Sequence, residues 1–240
     1  MNSQTCNYLP TLYALHGFLG STSDWDFFKA EHFGVNTLIP VDLFTSCHGS
    51  SLTTWAMQFI NHFDPSLLMG YSLGARAALH ALLLQPTRWK AAILISCHPG
   101  LRSEQERLKR IEHDQVWAEK FLSKPWNDLL EEWNHQKVLV TSRPINRHEM
   151  AYDRNTLAYV LRAWSLGLGQ DLREEIARLP FPILWIYGEK DEPYNSLAHS
   201  LSFAHPLSSL ECIAQSGHRV PWDQPKLFQE KVHHWLKTVL

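Results

Sequence analysis

Short apolar runs punctuate the chain at Thr11–His16, Asn36–Asp42, Ser66–Tyr71, Ala91–Cys97, Pro182–Tyr187 and Ser208–Ala214. Most are near-continuous rather than alternating. That pattern predicts strands buried on both faces, as in a parallel sheet covered by helices. Between them lie longer stretches with apolar residues at helical spacing, near Thr53–Phe63, Leu73–Leu84, Ser196–Phe203 and Lys226–Leu236. Strand and helix alternate, so the expected class is α/β with a doubly wound, mostly parallel sheet.

The alternation breaks after Cys97. From about Arg102 to Leu179 the pattern is helical, most clearly in "SEQERLKRIEHDQVWAEKFL" and "RNTLAYVLRAWSL". The expected organisation is therefore a core of residues 1–100 and 180–240, with residues 101–179 inserted as a helical cap, or lid, over the strand ends. No internal repeat or low-complexity stretch interrupts this plan.

Length agrees: 240 residues suit one α/β domain with an insertion. Apolar residues at 45% and charged residues at 19% place the chain among globular proteins and exclude a disordered one. A net charge of −2 leaves no electrostatic footprint for nucleic acid or an acidic membrane. No run approaches the roughly 18 apolar residues of a membrane span. The N-terminus lacks the basic-then-apolar pattern of a signal peptide. Cys6, Cys47, Cys97 and Cys212 form no CxxC pair, so they read as reduced, mostly buried thiols of a cytoplasmic protein. The pattern specifies no oligomeric state.

Candidate chemistry begins at Gly70-Tyr71-Ser72-Leu73-Gly74, which fits G-x-S-x-G. A predicted strand precedes it and a predicted helix follows, the context of a nucleophile elbow. The glycines are expected to let the chain turn sharply, exposing Ser72 at a helix N-terminus, where N–H groups favour negative charge. A serine nucleophile needs a base, and the base needs a carboxylate to orient it. Asp191 in "LWIYGEKDEPY" and His218 in "IAQSGHRVPW" each follow a predicted strand, where open α/β sheets place their sites. Glu189 and Glu192 are rival acids, less well placed. "LHGFLG" after the first strand predicts an oxyanion hole, with the Phe18 and Leu73 amides as donors and glycine allowing close approach. His16 in that loop reads as structural. "RHEMAY" is not H-E-x-x-H, and no nucleotide-binding motif occurs, so neither metal nor cofactor is expected.

"LHGFLGS", "GYSLG", "YGEKDEPY" and "SGHRVPWDQP" together resemble the α/β-hydrolase superfamily across the whole chain. Two departures stand out. Only about ten residues precede the first strand, so the usual N-terminal hairpin is mostly missing. The loop "VDLFTSCHGSS" keeps Asp42 and a Gly-Ser pair but lacks the proline common in relatives. Within the superfamily, "GYSLGARAALH", "SCHPGLRSEQERLKR", "DQVWAEKFLSKPW", "LLEEWNHQ" and "TLAYVLRAWSLGLGQDLR" are similar to the menaquinone-biosynthesis synthases that make 2-succinyl-6-hydroxy-2,4-cyclohexadiene-1-carboxylate. That resemblance implies a lyase that eliminates pyruvate from a polycarboxylate substrate without a cofactor. It implies Ser72, Asp191 and His218 as triad, Phe18 and Leu73 as oxyanion donors, and Tyr71, Arg76, Arg110 and Trp133 as substrate-site residues. A third cap arginine falls on Arg147 or Arg154, neither in clean register.

Elementary physics adds weight to an anionic substrate. Arg76 lies four residues past Ser72, one helical turn away. Arginine stays charged and grips carboxylates with two prongs. The bland alternatives are a surface ion pair for Arg76, a solvated helix face for Arg110, and core packing for Trp133 and Tyr71. The rival activity is a carboxylester or thioester hydrolase acting on an anionic acyl group, since one triad serves both reactions. A non-catalytic binding protein ranks third.

Overall fold

The computed structural model describes residues 10–45, 51–64 and 66–240. Its centre is a six-stranded, all-parallel sheet: β1 (Thr11–Leu15), β2 (Thr37–Val41), β3 (Leu67–Tyr71), β4 (Ala91–Ile95), β5 (Ile183–Gly188) and β6 (Ser209–Ile213). The spatial order is β2-β1-β3-β4-β5-β6. Each predicted strand is present, its ends within two residues of those expected.

The pleat divides the core. Leu12 and Ala14 of β1 face one hydrophobic cluster, and Tyr13 and Leu15 face the other. Both faces are covered, which is why the strands read as apolar runs without alternation. One face carries helices α2 (Leu52–His62) and α3 (Leu73–Leu84); the other carries the short α1 (Ala30–Phe33) and α10 (Pro225–Val239). Pro40 is tolerated in β2 because β2 is an edge strand, where a missing N–H breaks no ladder.

Between β4 and β5 run α4 (Glu104–Ser123), α5 (Trp126–Asn134), α6 (Arg154–Ala163) and α7 (Arg173–Ala177), with no strand among the described residues. A capping box starts α4: the Glu106 amide donates to Ser103 Oγ at 3.1 Å, and Glu106 Oε2 accepts from the Ser103 amide at 3.0 Å. Helices α4 and α6 pack along one another. Trp117, Phe121, Trp126, Leu129, Leu157 and Leu161 form a hydrophobic cluster distinct from those on the sheet. Leu19, from the loop after β1, is buried in that cluster, so the helical segment rests on the strand ends.

Two sequence expectations need correction. The helix expected at Ser196–Phe203 is α8 (Glu192–Ala198), displaced toward the N-terminus. Pro193 in its first turn starts it, because proline's fixed φ suits that position. Cys212 is exposed rather than buried; Cys97 is fully buried. The Gly-Ser pair of the loop after β2, together with Cys6 and Cys47, lies outside the described residues. The remaining helix, α9 (Val220–Asp223), follows the loop that carries His218.

Candidate active site

Chain order reverses direction across the sheet at β1, whose neighbours are β2 and β3. Loops leaving adjacent strands diverge at such a switch point and open a crevice at the strand C-termini. Gly17 and Phe18 follow β1, Ser72 follows β3, and the Asp191 and His218 loops follow β5 and β6.

Ser72 ends β3 and caps α3 with φ 52° and ψ −108°. A non-glycine residue in that region stores roughly 1–3 kcal/mol of strain and persists only where neighbours enforce it. The enforcement is visible. The Ser72 amide donates to the Ile95 carbonyl at 2.9 Å, and the Arg76 amide donates to the Ser72 carbonyl at 3.1 Å. The flanking glycines serve close approach, and neither has a positive φ. A Cβ on Gly70 would sit 2.5 Å from the Gly74 carbonyl oxygen, and one on Gly74 would sit 2.4 Å from that of His16. Gly17 likewise makes room for the Tyr71 ring, 2.7 Å from where its Cβ would be.

Ser72, His218 and Asp191 form one hydrogen-bonded chain. Nδ1 of His218 lies 2.7 Å from Asp191 Oδ2, and Nε2 lies 2.9 Å from Ser72 Oγ. A carboxylate only accepts, so Nδ1 carries the proton and Nε2 is free to accept from the serine hydroxyl. Asp191 is 1% exposed and its Oδ1 has no hydrogen-bond partner among the described residues. Its contact with the imidazole therefore fixes the ring's orientation and tautomer.

The backbone on both sides of His218 is also held. Gly217 N–H donates to Asp223 Oδ2 at 2.9 Å, and Arg219 N–H donates to Ser142 Oγ at 2.9 Å. Ser142 Oγ–H donates to Asp223 Oδ2 at 2.8 Å, and Ser96 Oγ–H donates to the His218 carbonyl at 2.8 Å. Ser142 belongs to the segment after α5, so the helical region braces the histidine loop directly.

The chain opens on a cavity of about 540 Å³. Phe18 and Leu73 line it, and neither amide has an acceptor among the described residues. Tyr71, Arg76, Arg110 and Trp133 line it too. The Trp133 ring lies 5.0 Å from Phe18 and 4.8 Å from Trp117, so it both packs and walls the cavity. Tyr71 packs edge-on against Trp222 at 4.8 Å, and burial pushes its hydroxyl pKa well up, keeping it protonated. Of the two arginines weighed between β4 and β5, Arg147 reaches the cavity, gripped by Asp24 at 2.5 and 2.8 Å, whereas Arg154 pairs with Glu149 at 3.1 Å and is not among the lining residues.

Arg76 is the anomaly. Its Nη2 donates to the Trp164 carbonyl at 2.8 Å, and no carboxylate lies within ion-pair distance among the described residues. It is no surface ion pair. Burial, helped by the nearby Arg110, pulls its guanidinium down to about 10, so it is still charged at neutral pH. Arg110 is ion-paired: its Nε donates to both Asp114 oxygens, at 2.8 and 2.9 Å. His16 is structural. Its Nε2 accepts from the Leu43 amide at 3.1 Å and its Nδ1 donates to the Gly17 carbonyl at 2.8 Å, joining the loops after β1 and β2.

Sequence reading missed further cavity residues, Tyr194, His98 and Arg219 among them. Tyr194 stands edge-on to His218 at 4.6 Å. His98 lines the cavity with Nδ1 accepting from the Gly100 amide at 3.1 Å. Arg219 adjoins His218 itself. The signal for Tyr194 and Arg219 was proximity in "DEPY" and "GHRV"; His98 carried none.

A parallel doubly wound sheet with a serine elbow, and a histidine and aspartate on later loops, defines an α/β-hydrolase enzyme. Residues 52–224 match the Hydrolase_4 family model, described as serine aminopeptidase, S33, and the chain belongs to that family. It is 30% identical over 233 residues to a Salmonella typhimurium 2-succinyl-6-hydroxy-2,4-cyclohexadiene-1-carboxylate synthase, covering 90% of this chain and 89% of the relative. An Escherichia coli synthase of the same name is 28% identical over 234 residues, 90% of each chain. The solved structure of MenH from S. aureus superposes with a TM-score of 0.84 at 22% identity, over 95% of this chain and 93% of that one.

Proposed function

We propose that this enzyme is a carbon–oxygen lyase that eliminates pyruvate from 2-succinyl-5-enolpyruvyl-6-hydroxy-3-cyclohexene-1-carboxylate. The product is 2-succinyl-6-hydroxy-2,4-cyclohexadiene-1-carboxylate, an intermediate of menaquinone biosynthesis. One observation carries the reading: Arg76, a partly buried cation that lines the cavity without a carboxylate partner among the described residues, one turn from Ser72. An uncompensated charge facing a cavity is costly unless a ligand supplies its counter-charge. The synthases among its relatives support the particular substrate.

The arginines hold the substrate carboxylates. His218 Nε2 takes the Ser72 proton while the serine oxygen takes a ring proton next to the succinyl carbonyl. The electron pair left on carbon moves into the carbonyl, and the resulting oxyanion is received by the Phe18 and Leu73 amides, worth about 3 kcal/mol per donor. Collapse of the oxyanion forms the C2=C3 bond, shifts the existing ring alkene from C3=C4 to C4=C5 and breaks the C5–O bond, and the pyruvate enolate leaves and is protonated by the imidazolium. Asp191 holds the imidazole tautomer and its positive charge. Ser72 acts as base, so no acyl-enzyme is needed.

A second reading, hydrolysis of an anionic ester or thioester, draws on the 2.9 Å Ser72–His218 bond, which equally prepares Ser72 to attack carbon. A lactate-dehydrogenase-coupled assay separates the two. We expect stoichiometric pyruvate release from the precursor; absence of release, together with rapid hydrolysis of short anionic esters, would establish the hydrolase instead.

A further inference from the structure

A second cation with no carboxylate in ion-pair contact among the described residues lines the cavity. Arg219 is 7% exposed. Its Nη1 donates to the Arg143 carbonyl at 3.0 Å and its Nη2 to Asn134 Oδ1 at 2.6 Å, both neutral acceptors. Its Nε–H has no acceptor among the described residues, and the residue lines the cavity. Neighbouring carboxylates are spoken for. Asp24 is held bidentately by Arg147. Asp223 accepts from Ser142 Oγ, Arg143 N and Gly217 N, at 2.8 to 2.9 Å.

Arg219 and Arg76 belong to different walls. Arg76 hangs from the end of α6 through Trp164 and has Arg110 and Asp114 for charged neighbours. Arg219 hangs from α5 and the segment after it, with Tyr71, Arg147 and Asp223 near. Ser72 and His218 line the same cavity as both. Burial of a guanidinium against neutral acceptors costs several kcal/mol, and a carboxylate fitting its free donors relieves that cost with charge-assisted bonds.

We propose that Arg219 is a second anion-binding point, so the cavity takes a dianion with one carboxylate at the Arg76–Arg110 wall and another at Arg219. This rests on the reading of the cavity as an anion site. Arg219 thereby selects dicarboxylates over monocarboxylates of the same length.

The test is calorimetric and independent of turnover. The probes are α,ω-dicarboxylates from succinate to adipate, each against its monomethyl ester. We expect one dianion to bind the wild type about tenfold more tightly than its monoester, the equivalent of roughly 1.4 kcal/mol. Arg219→Gln should shrink that preference below about threefold. Asn134→Asp should do the same while leaving the guanidinium in place, because it supplies an internal carboxylate to Arg219. A mere structural tether would be strengthened, and ligand preference would not move. No dianion preference in the wild type, or one that survives in either folded variant, overturns the proposal. If Arg76→Gln leaves the affinity of both ligands unchanged, the anion site itself is misplaced and the proposal goes with it. Monoester binding that needs Arg76 without any dianion preference sinks only the role of Arg219.

Discussion

Arg76 and Ser72 illustrate how much one turn of helix can decide. Their spacing puts a cation one helical turn from the Ser72 hydroxyl, and no carboxylate among the described residues lies within ion-pair distance of it. We expect Arg76→Ala to lower kcat/KM for the carboxylate substrate roughly 10–100-fold, the worth of a charge-assisted hydrogen bond, with a much smaller loss on a neutral acetyl ester. Steady-state kinetics on both substrates measures the ratio; equal losses would make the arginine a packing residue. Arg76 was legible in the sequence because i to i+4 is a fixed geometry within one helix. Arg219 was not, although it sits beside His218. Whether an arginine faces a carboxylate, solvent or an empty cavity depends on residues such as Asn134 and Arg143, far away in the chain.

At the scale of elements, the brace on the histidine loop is the feature local pattern could not supply. His218 is flanked by two amides whose acceptors, Asp223 and Ser142, come from α9 and from the segment after α5. Gly217 is glycine because Ser142 and Thr141 press on it; a Cβ there would lie 2.5 Å from Ser142 Oγ. Under the proposed function, Ser142 acts as a positioning residue. We expect Ser142→Ala to lower kcat about tenfold with KM nearly unchanged, and Ser142→Thr to restore part of the loss. A change confined to KM would contradict this role. The elbow was legible as an element, yet the reason for its glycines was not. G-x-S-x-G suggests a flexible turn, whereas Gly70 and Gly74 are needed for backbone contacts with α3 and the His16 loop. The shift of α8 to Glu192–Ala198 has a similar origin: Pro193 starts the helix immediately after Asp191, so the carboxylate sits at its N-terminus.

Across the whole molecule, burial sets an acid limit on stability. His80 is pulled down to about 4 and His98 to about 3, in each case by burial first and then by Arg76. Both lie below the ordinary value near 6.5, so the unfolded chain binds protons that the native state refuses. Stability contributed by the neutral rings is complete above pH 6.5 and is lost as pH falls toward 4 and 3. We expect the melting temperature to drop between pH 7 and pH 5, with about 1–2 kcal/mol per histidine lost by pH 5, and His80→Gln to flatten that slope. A pH-independent melt over this window would refute the assignment. The sequence by itself determined the six strands, the parallel class, the helical stretch between β4 and β5, and the elbow. Each of these follows from local periodicity or from short-range geometry that any folded state must respect. Only the tertiary structure decided which charges meet. It left Arg76 and Arg219 without carboxylate partners among the described residues, paired Arg147 with Asp24, and turned Arg154 away from the cavity. The physical reason is that ion pairing and desolvation depend on distances between elements remote in the chain, which no local pattern encodes.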